Sequence, residues 1–234
     1  MSGRPRGVRR RAVIDLNAIL ANAAATGPLT DLTADLRADA YGHGLIPVAR
    51  ALSDAGVGGF LVSRVEDQAA LADAGVSGAR VADPDAAVDQ HGAGPELFGL
   101  AGGGRPAMRL SGEVIAVKRV HADSGVSYGY TYRTRQDTTL ALVALGFADG
   151  IPRVVSNKAP VRIGDFVGRV TGRIAMDQFV VDLHDSTAEP GDDAVLFGNP
   201  EHRDPSVGEL ADLIGISAPV ITARLGRRIE RVYE

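Results

Sequence analysis

Hydrophobic and polar positions change their rhythm once along this chain, near Gly102-Gly103-Gly104. Before that point, short apolar runs alternate with stretches of helical spacing. Residues 12–16 read as a strand, and Asn17 stands where it would cap a following helix. Apolar positions from 45 to 55 recur at helical spacing and meet Gly56, a C-terminal stop. Residues 59–63 have the make-up of a short buried strand, 65–74 again read as a helix ending at Gly75, and 79–82 as a third strand. Strand and helix in alternation predict parallel strands flanked by helices.

After Arg105 the periodicity shortens. Strands are predicted at 114–120, 138–145, 159–163, 167–171, 179–183 and 194–197. Turn signals such as Gly164-Asp165 and Pro190-Gly191-Asp192 separate them. One helix is predicted from 206 to 213, with Ser206 and Glu209 forming a capping box. The expected fold class is α/β plus β: residues 1–16 as a basic tail and a strand added to the β domain, 17–104 as the α/β part, and 105–234 as the β domain.

Composition narrows the function classes. The 234 residues are 45% hydrophobic and 23% charged with net charge −4, a globular profile that favours neither nucleic acid nor an anionic membrane as partner. There is no cysteine, hence no disulfide or thiolate site, and the location expected is cytoplasmic. Arg4, Arg6, Arg9, Arg10 and Arg11 precede no apolar run of signal-peptide length and read as a solvated tail. The histidines at 43, 91, 121, 184 and 202 are scattered without an i,i+4 pair, so no metal site is expected.

Four motifs carry more. Arg37-Ala38-Asp39-Ala40-Tyr41-Gly42-His43-Gly44, Val126-Ser127-Tyr128-Gly129, Gly146-Phe147-Ala148-Asp149-Gly150 and Gly172-Arg173-Ile174-Ala175-Met176-Asp177-Gln178 stand in this order. Together they resemble motifs of the alanine racemase family, barrel-type enzymes that use pyridoxal phosphate. The resemblance implies a (β/α)8 barrel followed by a β domain, and a homodimer in which Tyr128 reaches across the interface as proton carrier. It also implies substrate contacts at Phe147, Met176 and Asp177, with the Met176 backbone toward the substrate carboxylate, and a phosphate contact at Tyr41.

The departures from the family pattern are chemical. Position 37 carries the cofactor lysine in the family; a guanidinium neither forms that covalent bond nor acts as a base near neutrality. Gly92 stands where the family places the arginine facing the cofactor ring. Pro95 lacks the backbone N–H that would hold the phosphate, and Phe147 replaces a tyrosine. A (β/α)8 barrel takes about 250 residues, so residues 17–104 predict a truncated remnant, without the family's carboxylate-binding arginine or supporting histidine. These departures lead to the expectation of no cofactor, ancestral pyridoxal phosphate being lost, and of an assembly or small-ligand role. The alternatives are a cofactor-independent isomerase or cyclase using Tyr128 as acid or base, and a residual alanine racemase.

Overall fold

The computed structural model describes residues 7–83 and 93–234. Two compact units divide the chain, one of residues 13–108, 218–224 and 231–234, the other of 1–12, 109–217 and 225–230.

Strand β1 (Arg10–Ile14) leads directly into a helix at Leu16–Thr26. The cap is Asp15, whose carboxylate accepts from the Ala18 N–H at 2.9 Å. Asn17, expected to cap, lies inside the first turn, because the strand stops at Ile14 and the extended backbone of Asp15 places its carboxylate over the free N–H groups. Strands β2 (Thr33–Asp35), β3 (Gly59–Val62) and β4 (Ala79–Val81) pair in parallel, with Ala34 opposite Phe60 and Phe60 opposite Ala79. A single parallel bridge from Ala34 to Ala93 lies outside these named strands. Helix Leu45–Asp54 buries Leu45, Val48, Ala49 and Leu52, while helix Val65–Asp73 buries Leu71. Removing Leu52 and Phe60 fully from water stabilises this layer by roughly 2 kcal/mol each. The Thr-Ala-Asp of β2 has no apolar run to announce it; its hydrogen bonds to β3 make it a strand.

In the other unit, β5 (Met108–Val120), β6 (Gly125–Val126), β7 (Tyr132–Arg133) and β8 (Thr138–Val143) come first. They are followed by β9 (Pro160–Ile163), β10 (Phe166–Thr171), β11 (Phe179–Asp182) and β12 (Asp193–Phe197); of the last strand, β13 (Glu230–Tyr233), residues 231–233 belong to the first unit. The sheet order is β12-β9-β10-β11-β8-β5-β1-β13, and a further β12–β5 pairing closes six of these strands into a ring. β5 can serve both β8 and β12, besides β1, because it is long and shifts register between Val114 and Ala116. A side chain at Gly112 would place its Cβ 2.7 Å from Leu145 Cγ. The interior holds Leu110, Val143, Val161, Phe179, Val181 and Phe197.

The described arginines at the N-terminus are not a solvated tail. Arg9 pairs with Glu113 and donates to the Gly191 carbonyl, Arg10 pairs with Asp149, and Arg11 with Glu230. Glu113 lies on β5 and Glu230 on β13, the two strands that flank β1, while Asp149 lies in the turn that follows β8. Arg4 and Arg6 lie outside the described residues.

Candidate functional site

The first cluster lies at the end of β2. Ala38, Asp39, Ala40 and Tyr41 all have positive φ, between 52° and 59°. A left-handed turn of L-residues costs roughly 1–2 kcal/mol per residue, so its surroundings must hold it. Asp39 accepts from the Leu45 N–H at 2.8 Å, anchoring the turn to the next helix. Gly42 (φ 84°) closes it against Thr222, where an added Cβ would fall 2.1 Å from the carbonyl oxygen. His43 is wholly buried, with Nδ1 3.0 Å from the Ala40 carbonyl and its ring against Phe98.

Arg37 points back at Asp35. Its Nε lies 2.9 Å from Asp35 Oδ1 and its Nη2 2.6 Å from Oδ2, and its backbone N–H donates to Oδ1 at 3.1 Å. The Tyr41 hydroxyl donates to Oδ2 at 2.8 Å. Burial alone would push the Asp35 carboxyl up, but hydrogen bonds from Arg37 and Tyr41 outweigh it and hold the group below the usual carboxylate range. The Asp35 hydrogen bond raises Arg37, which is therefore a permanent cation. Burial, then the bond to Asp35, raises the Tyr41 phenol. Burial lowers His43 to about 4, so it is neutral at pH 7. Pro95 opens a short 3-10 turn, Pro95–Phe98, at the position where a backbone N–H would lack a helical partner. Gly94 beside it leaves space next to Tyr41 Oη and Asp35. Gly92 lies outside the described residues.

The second cluster belongs to the β unit and joins the other three motifs. Ser127 Oγ donates to the Arg173 carbonyl at 2.5 Å, and Gly129 faces the Arg173 guanidinium. The Phe147 N–H donates to the Ala175 carbonyl (3.1 Å) and the Ala148 N–H to the Met176 carbonyl (2.9 Å). Gly146 is obligatory here, since a Cβ would fall 2.2 Å from the Met176 carbonyl oxygen. The segments bearing Tyr128, Phe147, Met176 and Asp177 thus form one loop cluster. Tyr128 (72%), Met176 (56%) and Asp177 (53%) are exposed, and Phe147 is partly so beneath the Arg153 guanidinium. In the other unit, Arg37 and Tyr41 are assembled around Asp35, with Gly94, the residue before Pro95, beside them.

Asp35, Asp149, Arg10 and Arg228 are partners in these clusters that the motifs do not reveal. Asp35 stands only two residues before Arg37, close enough for a local pair. Arg10 and Arg228, at opposite ends of the chain, carry no such local signal. Among the described residues no three His, Asp or Glu side chains gather as a metal site, and no helix is long and apolar enough to cross a membrane.

Comparison with known proteins follows the same two parts. Residues 107–233 match the family "Alanine racemase, C-terminal domain", and 14–90 match "Alanine racemase, N-terminal domain". The alanine racemase of Thermobifida fusca is 44% identical over 164 residues, covering 67% of this chain and 44% of that protein. That of Streptomyces coelicolor is 48% identical over 139 residues, covering 59% and 34%. The chain therefore spans less than half the length of these curated relatives. Among solved structures, the alanine racemase of a D-cycloserine-producing Streptomyces lavendulae superposes with TM-score 0.87 at 26% identity over 98% of each chain. An alanine racemase from Bartonella henselae "with covalently bound pyridoxal phosphate" gives 0.82 at 19% identity, over 97% of this chain and 100% of that one.

These findings correct the expectation that no cofactor is used. Relatives 40–48% identical are alanine racemases, and the Bartonella henselae protein of this fold carries the group. Residue 37 decides only whether a covalent bond can form; a phosphate is also held by N–H donors, which Arg37 does not remove. The architecture, a barrel-like N-terminal domain with a C-terminal β domain, is that of these enzymes, and the chain belongs to the alanine racemase family.

Proposed function

We propose that this chain acts as an alanine racemase-type protein, binding alanine or a similar small amino acid and exchanging the proton at its α-carbon. The carrying observation is the loop cluster of the β unit, which unites Tyr128, Phe147 and Met176 through the Ser127–Arg173 and Ala148–Met176 bonds. The relatives named alanine racemase support the same reading.

The residues at the end of β2 fit pyridoxal phosphate in part. The partly exposed Arg37 guanidinium suits the phosphate, as a permanent cation whose Nη1 makes no hydrogen bond to Asp35. Covalent attachment at residue 37 does not fit, because a guanidinium held charged by Asp35 has no lone pair to offer. The mechanism is therefore confined to what the chain itself does. The Met176 N–H binds the amino-acid carboxylate, the Tyr128 hydroxyl holds or moves a proton at the α-carbon, and Phe147 limits side-chain size. Arg37 orients an anion and transfers no proton.

Residues 17–104 are read as a shortened form of the family barrel and 105–234 as its β domain, with β1 added to the latter. A homodimer joined head to tail, through 30–104 of one copy and 105–180 of the other, would bring Tyr128 to the partner's barrel face.

The test is D-alanine formation from L-alanine by purified chain with added pyridoxal phosphate. Turnover above the protein-free rate supports the reading. Alanine binding without turnover would favour the second reading, a small-ligand role, for which the Arg37–Asp35 ion pair is the specific observation.

A further inference from the structure

We propose that Arg228, backed by Arg10, is a positioning residue that neutralises Asp177 and fixes the Met176 loop, so that the Met176 N–H receives an anionic carboxylate. The proposal rests on the reading of Met176 as the carboxylate contact.

Four charged groups form the device, all in the β unit. The Asp149 side chain is wholly buried, with Arg228 Nε 3.1 Å from Oδ1 and Arg10 Nε 3.3 Å from Oδ2. Neither contact has the geometry of a directed hydrogen bond, so both are ion pairs. Arg228 also donates from Nη1 to Asp177 Oδ1 at 2.6 Å, and Arg10 from Nη2 to the Asp177 carbonyl at 3.4 Å. Asp149 Oδ2 accepts from the Gly146 N–H at 2.8 Å, and its carbonyl accepts from Gly226 at 2.9 Å. The loop 146–150 is thereby tied to the segment bearing Arg228, and to the Met176 loop through Ala148. Two carboxylates meet two guanidiniums, and the charge closes to zero.

The closure matters because of what stands beside it. Among the described residues the Met176 N–H donates to no acceptor, so it is free for a ligand. Its neighbour Asp177 is a carboxylate, and a bare one would repel an arriving carboxylate. Two like charges about 6 Å apart at an effective dielectric near 40 repel enough to weaken binding roughly tenfold. Arg228, at 2.6 Å, cancels that charge.

The test uses the full chain with pyridoxal phosphate. Arg228→Ala should raise KM for alanine about tenfold with kcat changed less than threefold, and Arg228→Lys should recover most of the loss. Asp177→Asn introduced into Arg228→Ala should restore KM, because the repelling charge is gone; a merely structural Arg228 would not be rescued this way. By calorimetry, alanine should bind more weakly to Arg228→Ala while alaninol, which has no carboxylate, should not. Hydrogen exchange at Phe147 and Ala148 should quicken in Arg228→Ala and not in the control Arg203→Ala, whose ion pair with Asp165 is exposed. Equal loss of alanine and alaninol, or no rescue by Asp177→Asn, overturns the proposal alone. No alanine binding by the unaltered chain overturns both it and the reading beneath it.

Discussion

Arg37 Nη2 stands 2.6 Å from Asp35 Oδ2, and this ion pair rather than an amine occupies the end of β2. Asp35 is buried to 4% exposure and Arg37 remains 40% exposed, so the acid is fixed and the cation faces outward. Borohydride reduction in the presence of pyridoxal phosphate should leave residue 37 unmodified in the natural chain. Arg37→Lys should give a reduced adduct there, read by peptide mass. No adduct in that variant would show that the turn does not present residue 37 to the cofactor.

Tyr128 is exposed and packs little, so its substitution separates chemistry from folding. Tyr128→Phe should lower D-alanine formation by a factor of about 100, a typical share for a positioned acid–base group, while the melting temperature moves by less than about 1 °C. Unchanged turnover would remove Tyr128 from the reaction.

His43 makes stability depend on pH. Its folded-state value of about 4 lies below the ordinary 6.5, because burial opposes the charge. Between those values the unfolded chain binds the extra proton. The contribution of His43 is therefore complete above pH 6.5 and lost as pH falls toward 4, at about 1.4 kcal/mol per unit and roughly 3 kcal/mol in all. Asp35, held low, loses its own contribution only in more acid solution. Urea melts at pH 7 and pH 5 should show this loss in the natural chain, and His43→Leu should flatten it.

Gly42→Ala should destabilise the chain by about 3 kcal/mol or more, because it combines a left-handed φ with a Cβ 2.1 Å from the Thr222 carbonyl oxygen. Gly56→Ala, also at positive φ but with nothing nearby, should cost only about 1 kcal/mol. Equal losses in denaturant melts would show that steric approach at Gly42 is not what the turn depends on.

Residue order by itself determined those elements whose stabilisation is local or strongly periodic. The helix at Leu45–Asp54 shows its apolar face and its glycine stop, and Ser206 with Glu209 makes the capping box the sequence announced. The runs that became β8 to β12 are apolar enough, and well enough bounded by turns, to be seen without partners. The motifs around Tyr128, Phe147 and Met176 were legible too, and with them the family. Tertiary structure decided the rest. β2 is three residues with no apolar pattern and exists through pairing with β3, and β13 lies at the edge of the sheet beside β1. Arg10 reads as one of several N-terminal charges until the sheet brings it to Asp149. Arg37 reads as a lost lysine until Asp35 is seen to hold it. Ion pairs between residues far apart in sequence have no local signature; their partners are chosen by the strand order that folding produces.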